Sequence, residues 1–265
     1  MDILHIIILA VMQGLTEFLP ISSSGHLILF PQLTGWQDQG LAFDIAVHVG
    51  SLLAVLLYFR HDLKSLLASW ILSFKTKQLT PESRLVWAIG FATIPVGLAG
   101  LTISIAGWED QLRSPMLIAS STILFGLLLW EADVSGTKNR NEFHLTWQDV
   151  LLIGIAQAIA LIPGTSRSGI TITAALFLGL NRQAAARFSF LLAIPVIILA
   201  GASKTVTLIN QNIAVDWTTL SLAIVFSALS AYLCIKIFIN LLDHIGMLPF
   251  VLYRLGLGAI LIWMM

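Results

Sequence analysis

Apolar residues run through this chain in long blocks, not in alternation. Stretches at roughly 43–59, 86–107, 115–131, 186–203, 218–239 and 249–264 hold few polar positions. Each approaches the about 20 mostly apolar residues that a membrane-spanning helix needs. Two further regions, 3–34 and 149–180, are as apolar but are interrupted in the middle, by PISSSGH at 20–26 and PGTSRSG at 163–169. Each interruption leaves two apolar pieces, at least one of them too short to span. Broken backbone at membrane depth survives only where protein or a wet cavity surrounds it. The pattern therefore predicts an all-α polytopic membrane protein, with about six transmembrane helices and two re-entrant helix–loop–helix hairpins in one integral domain, 1–265. A β-barrel would instead show short alternating segments.

Composition agrees. The chain is 57% hydrophobic and 11% charged, with zero net charge, against about 45–50% apolar and about 25% charged in soluble domains. This excludes a soluble enzyme, a disordered chain and a nucleic-acid binder. The lone Cys234 permits no intrachain disulfide. The N-terminal block carries Asp2 and Glu17 but no early Lys or Arg, so it reads as retained and not as a signal peptide.

The few charges orient the chain. With the N-terminus outside and each hairpin returning to its side of entry, the inner loops hold Arg60, Lys64, Lys75, Lys77, Arg84, Lys138, Arg140, Arg182, Arg187 and Lys236. Only Arg113 and Lys204 fall outside, Arg167 lies in the second interruption and Arg254 in the last span. That asymmetry follows the positive-inside rule, and the eight Trp residues near predicted span ends read as an aromatic belt.

The two interrupted regions resemble each other. Gln13–Gly25 reads QGLTEFLPISSSG and Gln157–Gly169 reads QAIALIPGTSRSG. A second echo pairs IPVGLAG (94–100) with IPVIILAG (194–201). Since one hairpin enters from outside and the other from inside, the expectation is an inverted-topology repeat, about 1–131 and about 149–265. Such repeats build a mid-membrane site from discontinuous helices.

Ionisable groups in a membrane are costly and mark function. Gln13 and Glu17 lie four apart, on one helical face, and Ser22, Ser23, Ser24, Gly25 and His26 follow within ten residues. One of the serines is expected to cap the outgoing half-helix. The second interruption places Ser166, Arg167 and Ser168 just before Gly169. Amide groups at a helix start, joined by an Arg, make an anion site suited to phosphate. A resting Arg167–Glu17 pair would neutralise two buried charges and could open to admit phosphate. Glu17 with the Gln13 amide oxygen offers hard-oxygen metal ligands, and the imidazole of His26 can move protons near neutral pH. A serine, His26 or a water could be the nucleophile. Asp44 and His48, also four apart, read as an interfacial hydrogen bond. The chain carries no phosphate-binding loop, hydrolase elbow or dinucleotide fingerprint.

QGLTEFLPISSSGHL (13–27) and PGTSRSG (163–169) resemble the two signature motifs of the undecaprenyl-diphosphate phosphatase, or bacitracin-resistance, family. FDIAVHVGSLLAVLLYF (43–59) and RFSFLLAIP (187–195) extend the resemblance over nearly the whole chain. It implies hydrolysis of undecaprenyl diphosphate to undecaprenyl phosphate and inorganic phosphate, with Mg²⁺ or Ca²⁺. The carrier lipid would be recycled for cell-wall synthesis, at a site facing the outer side of the bacterial inner membrane, and bacitracin resistance would follow. Mapped onto this chain, it points to Glu17, Ser23, His26 and Arg167 for catalysis and to Ser22, Ser24, Gly25, Thr165, Ser166, Ser168 and Gly169 for substrate. Metal would fall to Glu17 and Gln13, with Gln13 the neutral variant of the first motif position. The implied partners are a polyprenyl diphosphate and membrane lipids. Monomer and homo-oligomer fit the sequence equally. The rival expectation is a transporter or flippase of polyprenyl phosphate, since broken helices in inverted repeats also typify transporters.

Overall fold

A computed structural model describes residues 2–36, 38–108, 111–210 and 216–264; the side chains of 31–33 and of Arg113, one of the two basic residues assigned outside, lie beyond that description. The described residues form eleven α-helices: α1 (Ile3–Phe18), α2 (Ser23–Thr34), α3 (Gly40–Tyr58), α4 (Arg60–Thr76), α5 (Pro81–Ala106), α6 (Pro115–Ser135), α7 (Trp147–Ile159), α8 (Arg167–Phe177), α9 (Arg182–Asn210), α10 (Trp217–Ile245) and α11 (Leu248–Trp263).

Local chemistry sets several boundaries. The Thr80 hydroxyl accepts from the Ser83 amide ahead of Pro81, a residue suited to a first helical turn. Thr146 and Asp149 form a reciprocal capping box on α7. The Asp216 carboxylate accepts from the Thr218 and Thr219 amides at the start of α10.

Five helices, α3, α5, α6, α9 and α10, are long and apolar enough to cross a membrane. The sixth expected span is α11, which has only 16 residues. At 1.5 Å per residue it is about 24 Å long, short of a hydrocarbon core about 30 Å thick. Helix α4 falls where sequence reading placed only an inner loop. Arg60, Asp62, Lys64 and Lys75 hide its helical character from hydropathy, while Leu67, Ile71, Leu72 and Phe74 form an exposed apolar stripe.

Helix α10 packs along α1 and α3, α5 along α7 and α9, and α6 along α11, with α3 against α9 at the centre. The α1–α10 contact is close because position 14 has no side chain. A Cβ on Gly14 would lie 2.0 Å from Ser230 Oγ and 2.5 Å from the Ser227 carbonyl oxygen. Gly14→Ala is therefore expected to destabilise the protein by about 2 kcal/mol or more, read as a lowered unfolding temperature in detergent. An unchanged transition would mean that the two helices sit further apart.

Ion pairs collect where the inner loops were expected. Asp133, near the end of α6, holds Arg182 at 2.6 Å. Arg187 bridges Glu142 at 2.9 Å and Asp62 at 3.1 Å, and Arg140 meets Asp149 at 2.6 Å. The starts of α4, α7 and α9 and the end of α6 thus form one charged end.

Candidate active site between the two broken helices

Both interrupted regions break, each a few residues earlier than the expected 20–26 and 163–169. α1 stops at Phe18, before Pro20, and the chain re-enters helix at Ser23; α7 stops at Ile159 and α8 starts at Arg167. The two loops share a local conformation. Ser22 and Ser166 both take positive φ, 73° and 69°, a left-handed geometry that costs a non-glycine residue about 1–2 kcal/mol. Each then caps its helix: Ser22 Oγ accepts from the Gly25 amide at 3.4 Å and Ser166 Oγ from the Gly169 amide at 3.1 Å. Each also faces a second hydroxyl, Ser24 at 3.4 Å and Ser168 at 3.2 Å. Gly164, at φ 89°, lets the second loop press onto α6; a Cβ there would meet the Ile118 carbonyl oxygen at 2.4 Å.

One carboxylate joins the loops. Glu17 Oε1 accepts from Arg167 Nη2 at 2.7 Å, across 150 positions of sequence. Its Oε2 accepts from Ser23 Oγ at 2.6 Å and Gln13 Nε2 at 2.7 Å. Ser168 Oγ turns the other way and donates to the Leu19 carbonyl at 2.8 Å, tying the second break to the first. Glu17 is 8% exposed, so the Arg167 pair is what makes its charge tolerable there.

This cluster lies on a cavity of about 380 Å³. Glu17, Ser22–Ser24, Ser166 and Arg167 supply polar lining, and Val96, Ile103, Leu161, Val196 and Ile197 supply an apolar wall. Of the remaining expected residues, Gly25 and Gly169 lie in the first turns of α2 and α8, and Thr165 is fully buried behind the cavity. His26 does not line the cavity. Its Nδ1 meets the Ser22 carbonyl at 2.7 Å and its Nε2 the Tyr253 hydroxyl at 2.5 Å. A carbonyl only accepts, so Nδ1 carries the proton and Nε2 accepts from Tyr253. Both ring nitrogens are thereby occupied.

Four residues join the site that sequence reading did not place there. His48 lines the cavity with Nε2 3.8 Å from Glu17 Oε2. Its expected partner was the Asp44 side chain; instead Nδ1 meets the Asp44 backbone carbonyl at 2.7 Å, and the Asp44 carboxylate accepts from Gln39 at 2.9 Å. Gln157 lines the cavity and is fully buried, with Oε1 unpartnered; its place in the repeat was the available signal. Tyr253 fixes His26. Arg254 had been noticed only as a charge inside the last span, and it bonds to both loops.

No group of three or more His, Cys, Asp or Glu among the described residues could hold a metal ion. Glu17 and Ser23 nevertheless bring a carboxylate and a hydroxyl together, while Gln13 turns its amide Nε2 to Glu17 and leaves Oε1 buried without a partner. With the Gln13 amide turned over, its unpartnered Oε1 would join them in a hard-oxygen set that fits a divalent cation completed by phosphate oxygens, as Mg²⁺ is usually bound. Chemically, the arrangement can hold a polyanion at Arg167 and the α8 start while a carboxylate draws the proton from a serine hydroxyl.

A family model described as bacitracin resistance protein BacA matches residues 6–260. Undecaprenyl-diphosphatase 2 of Stutzerimonas stutzeri is 57% identical over 99% of this chain and 98% of its own. Undecaprenyl-diphosphatase of Nitrosococcus oceani is also 57% identical, over 100% of this chain and 99% of its own. The Campylobacter concisus undecaprenyl-diphosphatase is 52% identical over 100% and 99%.

Proposed function

The chain belongs to the bacitracin resistance protein BacA family, and we propose that it is a membrane hydrolase converting undecaprenyl diphosphate to undecaprenyl phosphate and inorganic phosphate. The activity serves cell-wall synthesis and bacitracin resistance. The observation that carries the reading is the Arg167–Glu17–Ser23 cluster on the cavity, in a chain whose relatives are undecaprenyl-diphosphatases along their full length.

Arg167 and the amides at the start of α8 hold the terminal phosphate. Glu17 takes the Ser23 proton as Oγ attacks the terminal phosphorus; the bond to the bridging oxygen breaks and the lipid phosphate leaves. Water then cleaves the phosphoserine, and inorganic phosphate departs. Gln13, Glu17 and Ser23 would hold Mg²⁺ or Ca²⁺, which when bound supplies neutralisation of charge on the phosphate oxygens. Ser22, Ser24, Thr165, Ser166 and Ser168 shape the loops around the diphosphate. His26, pinned by Tyr253, fixes the first loop through the Ser22 carbonyl. The first isoprenoid units lie against the apolar wall of the cavity.

The helix pairs α1–α2 and α7–α8 act as re-entrant hairpins of an inverted repeat. Similar positive φ at Ser22 and Ser166, matching serine caps and an offset of 144 residues from Gln13 to Gln157 and from Ser22 to Ser166 support this. In that register Ser23 matches Arg167, so one hairpin contributes the nucleophile and the other the cation. With the charged end inside, the site opens to the outer face of the plasma membrane.

The test is phosphate release by purified protein in detergent, where no second compartment exists. Steady turnover of a polyprenyl diphosphate is the expected result; a folded protein that binds the lipid without releasing phosphate would leave the transport reading.

A further inference from the structure

Arg254 is fully buried in α11. Its Nε donates to the Thr122 carbonyl at 3.0 Å, its Nη1 to the Pro20 carbonyl at 3.2 Å, and its Nη2 to the Gly164 carbonyl at 3.0 Å and the Ser121 carbonyl at 3.5 Å. One guanidinium thus holds the first loop, the second loop and α6. Every one of these partners is a neutral carbonyl, and Arg254 enters no ion pair among the described residues. Carbonyls satisfy its N–H groups but leave its charge uncancelled. An arginine does not deprotonate, and a charge in so dry a place is expensive unless something balances it.

The charge count of the site makes this consequential. Arg167 is cancelled by Glu17 at 2.7 Å, so the paired centre alone offers a polyanion no net attraction; of the other cations, Lys204 lines the outer part of the cavity as a partly exposed, solvent-screened charge, whereas Arg254 is buried. Arg254 lies against the first turn of α8, where a Cβ on Gly169 would be 2.8 Å from its Nη1. In a medium of low dielectric the field of a fixed charge reaches well past its contacts.

We propose that Arg254 is a positioning residue of the phosphate site that also supplies its buried positive charge, with the diphosphate as the missing counter-ion. The inference rests on the reading of the cavity as a diphosphate site. It separates the work of the two arginines: Arg167 touches the phosphate, whereas Arg254 sets the spacing of the two loops and the potential between them.

The test is calorimetry on detergent-solubilised full-length protein, in chelator so that no cation contributes, with methylphosphonate, inorganic phosphate and inorganic diphosphate as probes. Wild-type affinity should rise about tenfold or more from methylphosphonate to diphosphate, as expected for a charged site of low dielectric. Arg254→Lys, which keeps the charge and loses the fork, should weaken all three probes alike and keep the rise from methylphosphonate to diphosphate, whereas Arg254→Gln should lose about tenfold on diphosphate and flatten the series. Equal wild-type affinity for the three probes would overturn the proposal, as would a series flattened in Arg254→Lys as much as in Arg254→Gln. Lys204→Gln, at the partly exposed cation on the cavity, should keep most of the rise; a series flattened by Lys204→Gln would overturn the proposal even where an Arg254 variant fails to fold. Wild-type protein that binds none of the probes would instead overturn the diphosphate-site reading.

Discussion

Arg167→Ala is expected to lower phosphate release from a polyprenyl diphosphate by about 10³-fold or more, while the protein still folds. Two losses combine. The variant removes a charge-assisted donor aimed where phosphate charge develops, and deleting one such donor costs about 10²–10³ in comparable sites; arginines in phosphoryl transfer contribute about 10³–10⁵. It also leaves Glu17 buried beside Ser23 and Gln13 with only the His48 ring, 3.8 Å away, in place of the arginine, so the carboxylate repels the incoming phosphate. Arg167→Lys keeps the charge but not the planar fork, and should fall between, about 10–100-fold down by the same reasoning. Initial rates of phosphate release, with unfolding temperatures as the check on folding, decide this. Turnover near wild type in Arg167→Ala would remove Arg167 from the phosphate site.

The breaks were the most legible part of the fold, because Pro20, Pro163, Gly164 and the serine runs interrupt blocks that hydropathy alone would have carried through. Glu17 and Arg167 were legible for the same reason: charge is scarce in this chain, and both sit beside a break. Pairing them needed no more than the cost of two buried charges. His48 was misread because a four-residue spacing to Asp44 suggests a side-chain partner, whereas only the approach of α3 to α1 brings its ring to Glu17. The Tyr253 contact that occupies His26 lies 227 positions away, beyond any local pattern. Arg254 stood out as a lone charge in a span, but its role depends on how α11 seats beneath both loops. The second sequence echo, at Pro95 and Pro195, has an offset of 100 residues and lies on α5 and α9. It therefore does not share the register of the hairpins. Helix α4 escaped notice because hydropathy detects spans, and this helix mixes charge with an apolar stripe.

Glu17 and Ser23 should behave as one unit. The 2.6 Å contact points the Ser23 hydroxyl proton at the Glu17 carboxylate, so in the proposed mechanism neither residue retains its function without the other. Glu17→Gln presents an amide donor to Arg167, Gln13 and Ser23, which already donate to that position, and removes the base. General-base contributions run to about 10²–10⁴, and a loss toward the upper end is expected because the amide also disorders the donors around it. Ser23→Ala should be comparably slow and should abolish the acid-stable phosphoenzyme that rapid quenching of wild type with terminally labelled diphosphate is expected to trap. The double variant should be no slower than the slower single one, since residues acting as a unit are grossly non-additive. Losses that multiply would assign the two residues to separate steps. A phosphoenzyme that survives in Ser23→Ala would move the nucleophile elsewhere, while wild type that accumulates none and still turns over would favour direct attack by water, with Glu17 as its base and Ser23 reduced to a phosphate ligand.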